Sequence, residues 1–142
     1  MSTSINHTGF VVSNLEKSVT FFRDIVGMQV VRRFERKGPA ITHIVGYEGA
    51  RLQGVHLGFD TGPTLELIFY ITPPAQKRPT NERSVLGGTH IAFTVDNIQD
   101  TYDRIIAAGG HSLNPPIDLD EERIACYLQD PDGNWIELLQ FK

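Results

Sequence analysis

Two histidines and two glutamates stand at matching places in two similar stretches of the sequence. His7 and His90 begin "HTGFVV" and "HIAFTV", while Glu66 and Glu137 lie inside "TLELIFY" and "WIELLQF". Divalent transition metals bind imidazole nitrogens and carboxylate oxygens together. A single strand histidine or glutamate usually has a structural role or is exposed, but both glutamates here lie among apolar residues, where an unpaired carboxylate is costly. The four residues together therefore predict a divalent-metal site.

A strand with the same pattern contains each histidine. When His7 is aligned with His90, Phe10 falls on Phe93. The side chains of an extended strand alternate between two faces, so each histidine shares its face mainly with small residues, and bulky apolar residues occupy the other face. The apolar face can pack on a helix, and a sheet bent around the histidine face could leave a cavity.

A helix is predicted after each of these strands. In the first copy "SNLE" places Ser13 at the N-cap and Glu16 three residues later, which is a capping-box pattern. In the second copy the predicted cap is Asp96 or Asn97. Apolar residues then recur at helical spacing in both copies until a glycine ends the pattern.

Three further strands are expected after each helix, which makes each half a βαβββ module. The candidate segments are "MQVVRRFER", a stretch within "AITHIVGYEGARLQGVHLGFD" and "TLELIFY", then "HSLNP", "RIACYLQD" and "NWIELLQF". The first module is longer, which we assign to a longer hairpin around "GYEGARLQG". We thus predict one α+β domain, with module 1 at about residues 1–72, module 2 at about residues 88–142, and a linker at about residues 73–87.

Other residues suited to chemistry give weaker indications. Cys126 is the only cysteine, which excludes an internal disulfide and a cysteine-based zinc cluster, and the sequence shows no base that would activate its thiol. No nucleophile-elbow or phosphate-loop motif is present. Three further histidines lack counterparts in the repeat and are interpreted as surface or structural residues: His43, His56 and His111.

Composition excludes several classes of protein. The 142 residues are 40% hydrophobic and 21% charged, which is ordinary for a globular protein. The formal net charge of -4 gives no basic footprint for nucleic acid. No apolar run approaches the roughly 18 residues of a membrane span, and "MSTSINHTGF" lacks the regions of a signal peptide. We therefore expect a cytoplasmic protein with neither a nucleic-acid nor a membrane partner.

The combined pattern resembles the vicinal oxygen chelate superfamily, which includes glyoxalase I, methylmalonyl-CoA epimerase, extradiol dioxygenases, and the fosfomycin and bleomycin resistance proteins. The phrases "FFRDIVGMQVV", "GTHIAFTVDNI" and "DPDGNWIELLQ" carry the resemblance, which covers nearly the whole chain. It implies two βαβββ modules that form a cupped, mostly antiparallel sheet with the helices outside. It also implies a homodimer, and it leaves open whether the modules pair within one chain or are exchanged between the chains of the dimer.

The resemblance further implies that His7, Glu66, His90 and Glu137 bind one divalent ion (Ni, Co, Zn, Mn or Fe) on the inner wall of the sheet. A small-molecule substrate would occupy the open metal positions through two neighbouring oxygens. The metal would polarise a carbonyl and stabilise the enolate that forms when a base removes the α-proton. Glu137 is the expected base, and Glu66 could act on the opposite face.

The two glutamates favour the glyoxalase I and methylmalonyl-CoA epimerase branch, and hence a metal-dependent lyase or isomerase. An extradiol-type ring-cleavage dioxygenase is the alternative, because His7, His90 and Glu137 could form its 2-His-1-carboxylate triad. A non-catalytic drug-binding resistance protein is a further alternative, which the intact set of four ligands disfavours.

Glutathione is disfavoured as part of the substrate. Glutathione-binding members typically carry an arginine four residues after the first histidine and an asparagine four residues after the first glutamate, and this chain has Val11 and Tyr70 there. It also has "DLDEE" where those members tend to have basic residues, and this segment should repel the glutathione carboxylates. An epimerase or isomerase acting on another 2-oxo, acyl-thioester or similarly chelating substrate fits at least as well.

Overall fold

The structure is a computed structural model that describes all residues, 1–142. Residues 73–90 belong to neither a helix nor a strand. None of the helices combines the length and the apolar character that a membrane span requires. In chain order the elements are β1 (His7–Val11), α1 (Leu15–Thr20), a π-helical segment (Phe21–Val26), β2 (Gln29–Lys37), α2 (Pro39–Val45), β3 (Arg51–Gly58), β4 (Thr64–Thr72), β5 (Ile91–Thr94), α3 (Ile98–Ala107), β6 (His111–Ser112), β7 (Ile117–Asp118), β8 (Arg123–Gln129) and β9 (Trp135–Phe141).

The chain forms two compact units, Met1–Lys77 and Arg78–Lys142, and each unit has its own sheet. The strand order is β1-β4-β3-β2 in unit 1 and β5-β9-β8-β6 in unit 2, where the short β7 pairs with β8. In both units the first strand pairs parallel with the last, and the other pairs are antiparallel. The predicted α+β class is therefore confirmed, with a mixed sheet in each unit.

Asparagine side chains begin both α1 and α3. The Oδ1 atom of Asn14 accepts a hydrogen bond from the backbone N–H of Lys17, and Asn97 accepts one from that of Asp100, each at 3.0 Å. The prediction of Ser13 as the first cap is wrong by one residue. Asn14 has the extended backbone of a cap, with φ -148° and ψ 109°, and its side-chain oxygen pairs one of the N–H groups that the first turn leaves free.

The predicted longer hairpin of the first module is wrong, because its extra residues form helix α2 and a loop. Gly38 (φ 96°) precedes the helix and Pro39 starts it. Proline suits a first turn, since the N–H that it lacks would have no partner within the helix. Gly46 (φ 76°) then ends the helix in the left-handed conformation that glycine adopts easily. The glycines and proline of this segment thus bound a helix inserted between the antiparallel strands β2 and β3.

Each unit buries the apolar face of its first strand. In unit 1 Phe10 is buried, and its ring packs against that of Phe22 with the centroids 6.1 Å apart. In unit 2 Phe93 of the first strand and Ile105 of the following helix are buried. Burial of each such side chain contributes roughly 1.5–3 kcal/mol. Because side chains alternate along extended backbone, burying this face leaves His7 of β1, and His90 directly before β5, on the other face of the sheet.

Gly54 leaves room for an aromatic ring that packs against His56. Gly54 on β3 pairs with Phe34 on β2. A Cβ atom at Gly54 would lie only 2.2 Å from Cζ of Phe34, well inside van der Waals contact. Phe34 in turn packs on His56, with ring centroids 5.7 Å apart. The absence of a side chain at Gly54 therefore permits the position of the Phe34 ring beside His56.

We expect Gly54→Ala to lower the free energy of unfolding by about 1–3 kcal/mol, the usual cost of forcing extra volume into a packed site. Because the new methyl group must displace the Phe34 ring, combining it with Phe34→Ala should cost less than the sum of the single changes. Chemical denaturation of the single and double variants measures both effects.

Gly9→Ala is the matched control for this experiment. Its Cβ atom would meet Cδ1 of Ile68 at an ordinary 3.4 Å, so we expect a much smaller loss of stability. Strict additivity of Gly54→Ala and Phe34→Ala would show that the two positions are not coupled through the ring.

Candidate metal centre

The strand register of unit 1 brings together three side chains that can bind metals. Glu66 on β4 lies opposite Gly9 on β1 and opposite His56 on β3. His7 precedes Gly9 by two residues in the same strand, so its side chain projects from the same face. Residues directly opposed on neighbouring strands have Cβ atoms about 4.5–5.5 Å apart, which is close enough for their side chains to interact.

Ligand-type atoms of these three residues all lie within 4.8 Å of one another. His56 Nε2 is 2.7 Å from Glu66 Oε2, and His7 Nε2 is 3.7 Å from the same oxygen. The side chains of His56 and Glu66 are 7% and 15% exposed, whereas that of His7 is 39% exposed. The group is therefore buried at His56 and open to solvent at His7.

The other ring nitrogen of each histidine is hydrogen-bonded to a side-chain oxygen. His7 Nδ1 lies 2.7 Å from Asn6 Oδ1, and His56 Nδ1 lies 2.7 Å from Thr64 Oγ1. An amide oxygen only accepts, so His7 donates from Nδ1 and its Nε2 lone pair is left facing Glu66. Metal-binding histidines have such a partner on the second nitrogen, because it fixes the tautomer and the ring orientation. These residues therefore fit a divalent metal.

Unit 2 repeats this arrangement around Glu137. Glu137 on β9 lies opposite Ala92 on β5 and opposite Tyr127 on β8. His90 Nε2 is 3.2 Å from Glu137 Oε2. The Tyr127 hydroxyl lies 3.2 Å from His90 Nε2 and donates a longer hydrogen bond, of 3.4 Å, to Glu137 Oε2. The imidazole and carboxylate of unit 2 are thus close enough to share a metal ion.

A cavity of about 360 Å³ adjoins the histidine of unit 2, and its lining contains no carboxylate. The Arg83 guanidinium lies 4.7 Å from the centroid of the Trp135 ring and brings a positive charge to this wall. Burial, and to a smaller extent the charge of Glu137, raises the pKa of Tyr127, so its hydroxyl is neutral and can donate. A cation and a hydroxyl donor suit a ligand rich in oxygen. The lining residues are Arg83, Gly88, Thr89, His90, Tyr127 and Trp135.

Within each unit the structure brings the predicted histidine next to the predicted glutamate. A third residue that contacts each glutamate was not predicted from the sequence. His56, interpreted from the sequence as a surface or structural residue, is buried and hydrogen-bonded to Glu66. Its counterpart is Tyr127, because each of the two precedes the glutamate of its unit by 10 residues. Aligning histidine with histidine could not reveal this position, whereas the equal spacing to the glutamates could. His43 and His111 are exposed, as expected.

The duplicated fold has a counterpart among known protein families. Residues 4–138 match the model of the Glyoxalase/Bleomycin resistance protein/Dioxygenase superfamily. The chain belongs to this superfamily. This confirms the resemblance found in the sequence, and it assigns the fold without deciding among the reactions that the superfamily name covers.

Relatives of similar sequence match almost the full length of the chain. A probable lactoylglutathione lyase of Vibrio parahaemolyticus is 35% identical over 97% of this chain and 91% of its own length. The lactoylglutathione lyase of Neisseria meningitidis is 30% identical over 96% of this chain and 89% of its own. The uncharacterised YwbC of Bacillus subtilis is 29% identical, with 99% of both chains covered.

Solved structures of glyoxalase proteins share the fold. A glyoxalase family protein from Bacillus cereus superimposes with a TM-score of 0.90 at 20% identity, covering 99% of this chain and 95% of that chain. A trypanothione-dependent glyoxalase I from Leishmania major gives a TM-score of 0.65 at 22% identity, covering 98% of this chain and 87% of that chain. At these identities the likeness concerns the architecture alone.

Cys126 lies next to the site of unit 2 in the sequence but is not an activated nucleophile. It pairs with Leu138 across β8 and β9 and is 7% exposed. Burial raises the pKa of its thiol to about 11. The structure thus agrees with the sequence interpretation that no base activates Cys126.

We expect iodoacetamide to alkylate Cys126 in the folded protein at pH 8 at least about 10-fold more slowly than in the unfolded protein, because the thiolate is the reactive form. The folded rate should keep rising as the pH approaches 11, whereas an unfolded thiol should level off above its ordinary pKa of about 8.5. Mass spectrometry of timed samples measures both rates. Equal rates in the two states at pH 8 would show that the thiol is accessible and ionised.

Proposed function

We propose that this protein is a divalent-metal-dependent lyase or isomerase that removes a proton from the carbon atom next to a metal-chelated carbonyl group. The observation that carries the proposal is the pairing of histidine with glutamate at the same place in each unit, with Nε2–Oε2 distances of 3.7 Å and 3.2 Å. The lactoylglutathione lyases among its relatives support the same class of reaction.

Two residues from each unit would hold the metal: His7, Glu66, His90 and Glu137. When bound, a divalent metal withdraws electron density from a substrate carbonyl and stabilises the negative charge that forms on its oxygen. That the four residues share one ion stays a prediction, which metal analysis tests. One equivalent per chain supports a shared ion, and two equivalents contradict it.

Glu137 is better suited than Glu66 to accept the substrate proton. Glu66 Oε2 accepts a 2.7 Å hydrogen bond from His56, whereas the contacts of Glu137 Oε2 with His90 and Tyr127 are 3.2 and 3.4 Å. A carboxylate with longer hydrogen bonds loses less stabilisation when it takes up a proton. His90 and Tyr127 also line the cavity of unit 2, so a substrate bound there would lie near Glu137.

The same cavity supports a small substrate with several oxygens. Arg83 can pair with a carboxylate or phosphate group, and the flat ring of Trp135 offers an apolar wall. The Tyr127 hydroxyl can donate a hydrogen bond to a substrate oxygen. A 2-oxo acid or an acyl thioester with a second carbonyl matches these groups.

Metal analysis of the purified protein, followed by deuterium exchange from solvent into candidate 2-oxo and acyl-thioester substrates, tests the proposal. Bound metal with exchange supports it. Iron with oxygen consumption on a catechol would instead identify an extradiol-type dioxygenase. Tight binding of a drug without turnover would identify a non-catalytic resistance protein.

We expect Glu137→Gln to keep much of its metal while losing at least about 10²-fold in the exchange rate, the usual contribution of a general base. An amide oxygen can still coordinate a metal, but it does not accept a proton near neutral pH. His90→Ala should instead lower the metal content, because it removes a ligand. Both quantities are measured on the same samples.

Glu122→Gln is the matched control, because it makes the same chemical change at an exposed glutamate on the surface of unit 2. It should leave metal content and exchange unchanged. If both also survive in Glu137→Gln, the base lies elsewhere, and Glu66 becomes the next candidate.

The positions that should contact glutathione carry no positive charge here. Val11 is partly exposed, and the Tyr70 ring packs edge-on against Tyr47 with centroids 6.1 Å apart. Burial raises the pKa of Tyr70, so this phenol is neutral. In the acidic segment Asp118 pairs with Lys142 at 3.0 Å and Asp120 pairs with Arg123, so the cations nearest this segment already have acidic partners.

We therefore expect this protein to turn over the methylglyoxal–glutathione hemithioacetal at least about 10²-fold more slowly than the Neisseria meningitidis enzyme assayed alongside. The reason is that each missing charge-assisted contact with glutathione costs roughly 1.5–3 kcal/mol. The double variant Val11→Arg, Tyr70→Asn should regain part of the activity. Efficient turnover by the unmodified protein would show that other residues bind glutathione.

A further inference from the structure

His56 lies closer to the glutamate of unit 1 than the predicted ligand His7 does, although it is absent from the predicted ligand set. We propose that His56 is a direct ligand of the divalent ion bound by His7 and Glu66. Unit 1 then contributes two imidazoles and one carboxylate. This inference rests on the proposed function, which requires a bound ion. It adds one ligand to the predicted set and, with that ligand, a preference among divalent metals.

The distances within the group suit a common metal ion. For metal–ligand bonds of about 2.1 Å, neighbouring ligand atoms of a four- or six-coordinate ion lie roughly 3.0–3.4 Å apart. The observed separations from Glu66 Oε2 are 2.7 Å to His56 Nε2 and 3.7 Å to His7 Nε2. They bracket the required range, and the ligand atoms of all three residues lie within 4.8 Å of one another, so side-chain adjustment without movement of the strands allows both nitrogens to bind the same ion as the carboxylate.

His56 has the surroundings of a metal ligand. Its Nδ1 atom lies 2.7 Å from Thr64 Oγ1, which can accept the Nδ1 proton and leave the Nε2 lone pair for a metal. Its ring is fixed between neighbours, with Phe34 at 5.7 Å and His7 at 5.1 Å between centroids. A ligand that is already held in place loses little conformational entropy when the metal binds.

A positive group already approaches these three residues. Arg32 Nη2 lies 3.5 Å from His56 Nε2, and Arg32 is an exposed residue on β2. A guanidinium carries a full positive charge, so its position beside His56 is favoured by the negative charge of the neighbouring Glu66 carboxylate. Because its long side chain can swing into solvent, a metal ion can replace Arg32 without disturbing the strands.

Comparison with unit 2 shows what is particular to His56. The His7–His56 and His90–Tyr127 ring pairs both have centroids 5.1 Å apart, with interplanar angles of 78° and 77°. The repeat thus preserves a ring at this position but changes its chemistry. A neutral phenol is a poor metal ligand, so the extra nitrogen belongs to unit 1 alone. An added imidazole favours Fe, Co, Ni or Zn over Mg or Ca.

The competing role for His56 is to orient Glu66 through the 2.7 Å hydrogen bond without touching the metal. NMR of the full-length protein, labelled with ¹⁵N-histidine and loaded with ¹¹³Cd²⁺, separates the two roles because only a bonded nitrogen is split by cadmium. We expect one-bond splitting at the Nε2 atoms of both His7 and His56, assigned through backbone connectivities. Splitting at His7 without splitting at His56 would overturn the inference and leave the proposed function intact. Absence of splitting at both histidines would overturn both.

A binding measurement provides a second, independent test. In His56→Gln the amide N–H can still donate to Glu66, so the orienting hydrogen bond is kept and the imidazole ligand is lost. We expect Cd²⁺ affinity to fall by more than about 100-fold, the upper end of what residues outside the coordination sphere contribute. His43→Gln, at an exposed histidine of α2, is the matched control and should bind Cd²⁺ like the unmodified protein. Unchanged affinity in His56→Gln would overturn the inference.

Discussion

A carboxylate placed in an apolar strand is the constraint around which each unit is organised. Glu66 lies between Leu65 and Leu67, which are 1% and 0% exposed, and its own side chain is only 15% exposed. Removing a carboxylate from water without a partner costs several kcal/mol. The strand that carries the glutamate therefore needs a hydrogen-bond donor on a neighbouring strand, and the sheet order supplies one, His56 in unit 1 and Tyr127 in unit 2.

Sheet topology explains why the sequence repeats a strand followed by a helix. A first strand that pairs parallel with the last strand needs a crossover connection, and the helix provides part of it. The crossover places His7 beside Glu66 and His90 beside Glu137. A small residue of the first strand lies opposite each glutamate, Gly9 opposite Glu66 and Ala92 opposite Glu137, and leaves space for the carboxylate. The helix thus allows the parallel pairing of the first and last strands, the histidine lies beside the glutamate, and the small residue leaves space for its carboxylate.

The limits of prediction from the sequence follow from the same topology. His7 and His90 could be found because they belong to local patterns that repeat. The glutamates could be found because a charged residue is unusual inside an apolar strand. His56 depends on the register between β3 and β4, which is a non-local property that an alignment of similar letters does not contain. Helix α2 was missed for a related reason, since Gly38 and the following proline suit a turn as well as a helix start.

The residue opposite each glutamate makes the two units chemically unequal. Buried His56 donates a hydrogen bond of 2.7 Å to Glu66, and this bond holds the carboxylate in one position. Tyr127 contacts Glu137 at 3.4 Å beside a cavity, and that carboxylate can change partner more easily. In the proposed metal-dependent proton transfer, Glu66 would serve as a lasting ligand and Glu137 as the group that exchanges a proton. The two copies of the module thus differ at this position in the ring that contacts the glutamate, which is an imidazole in unit 1 and a phenol in unit 2.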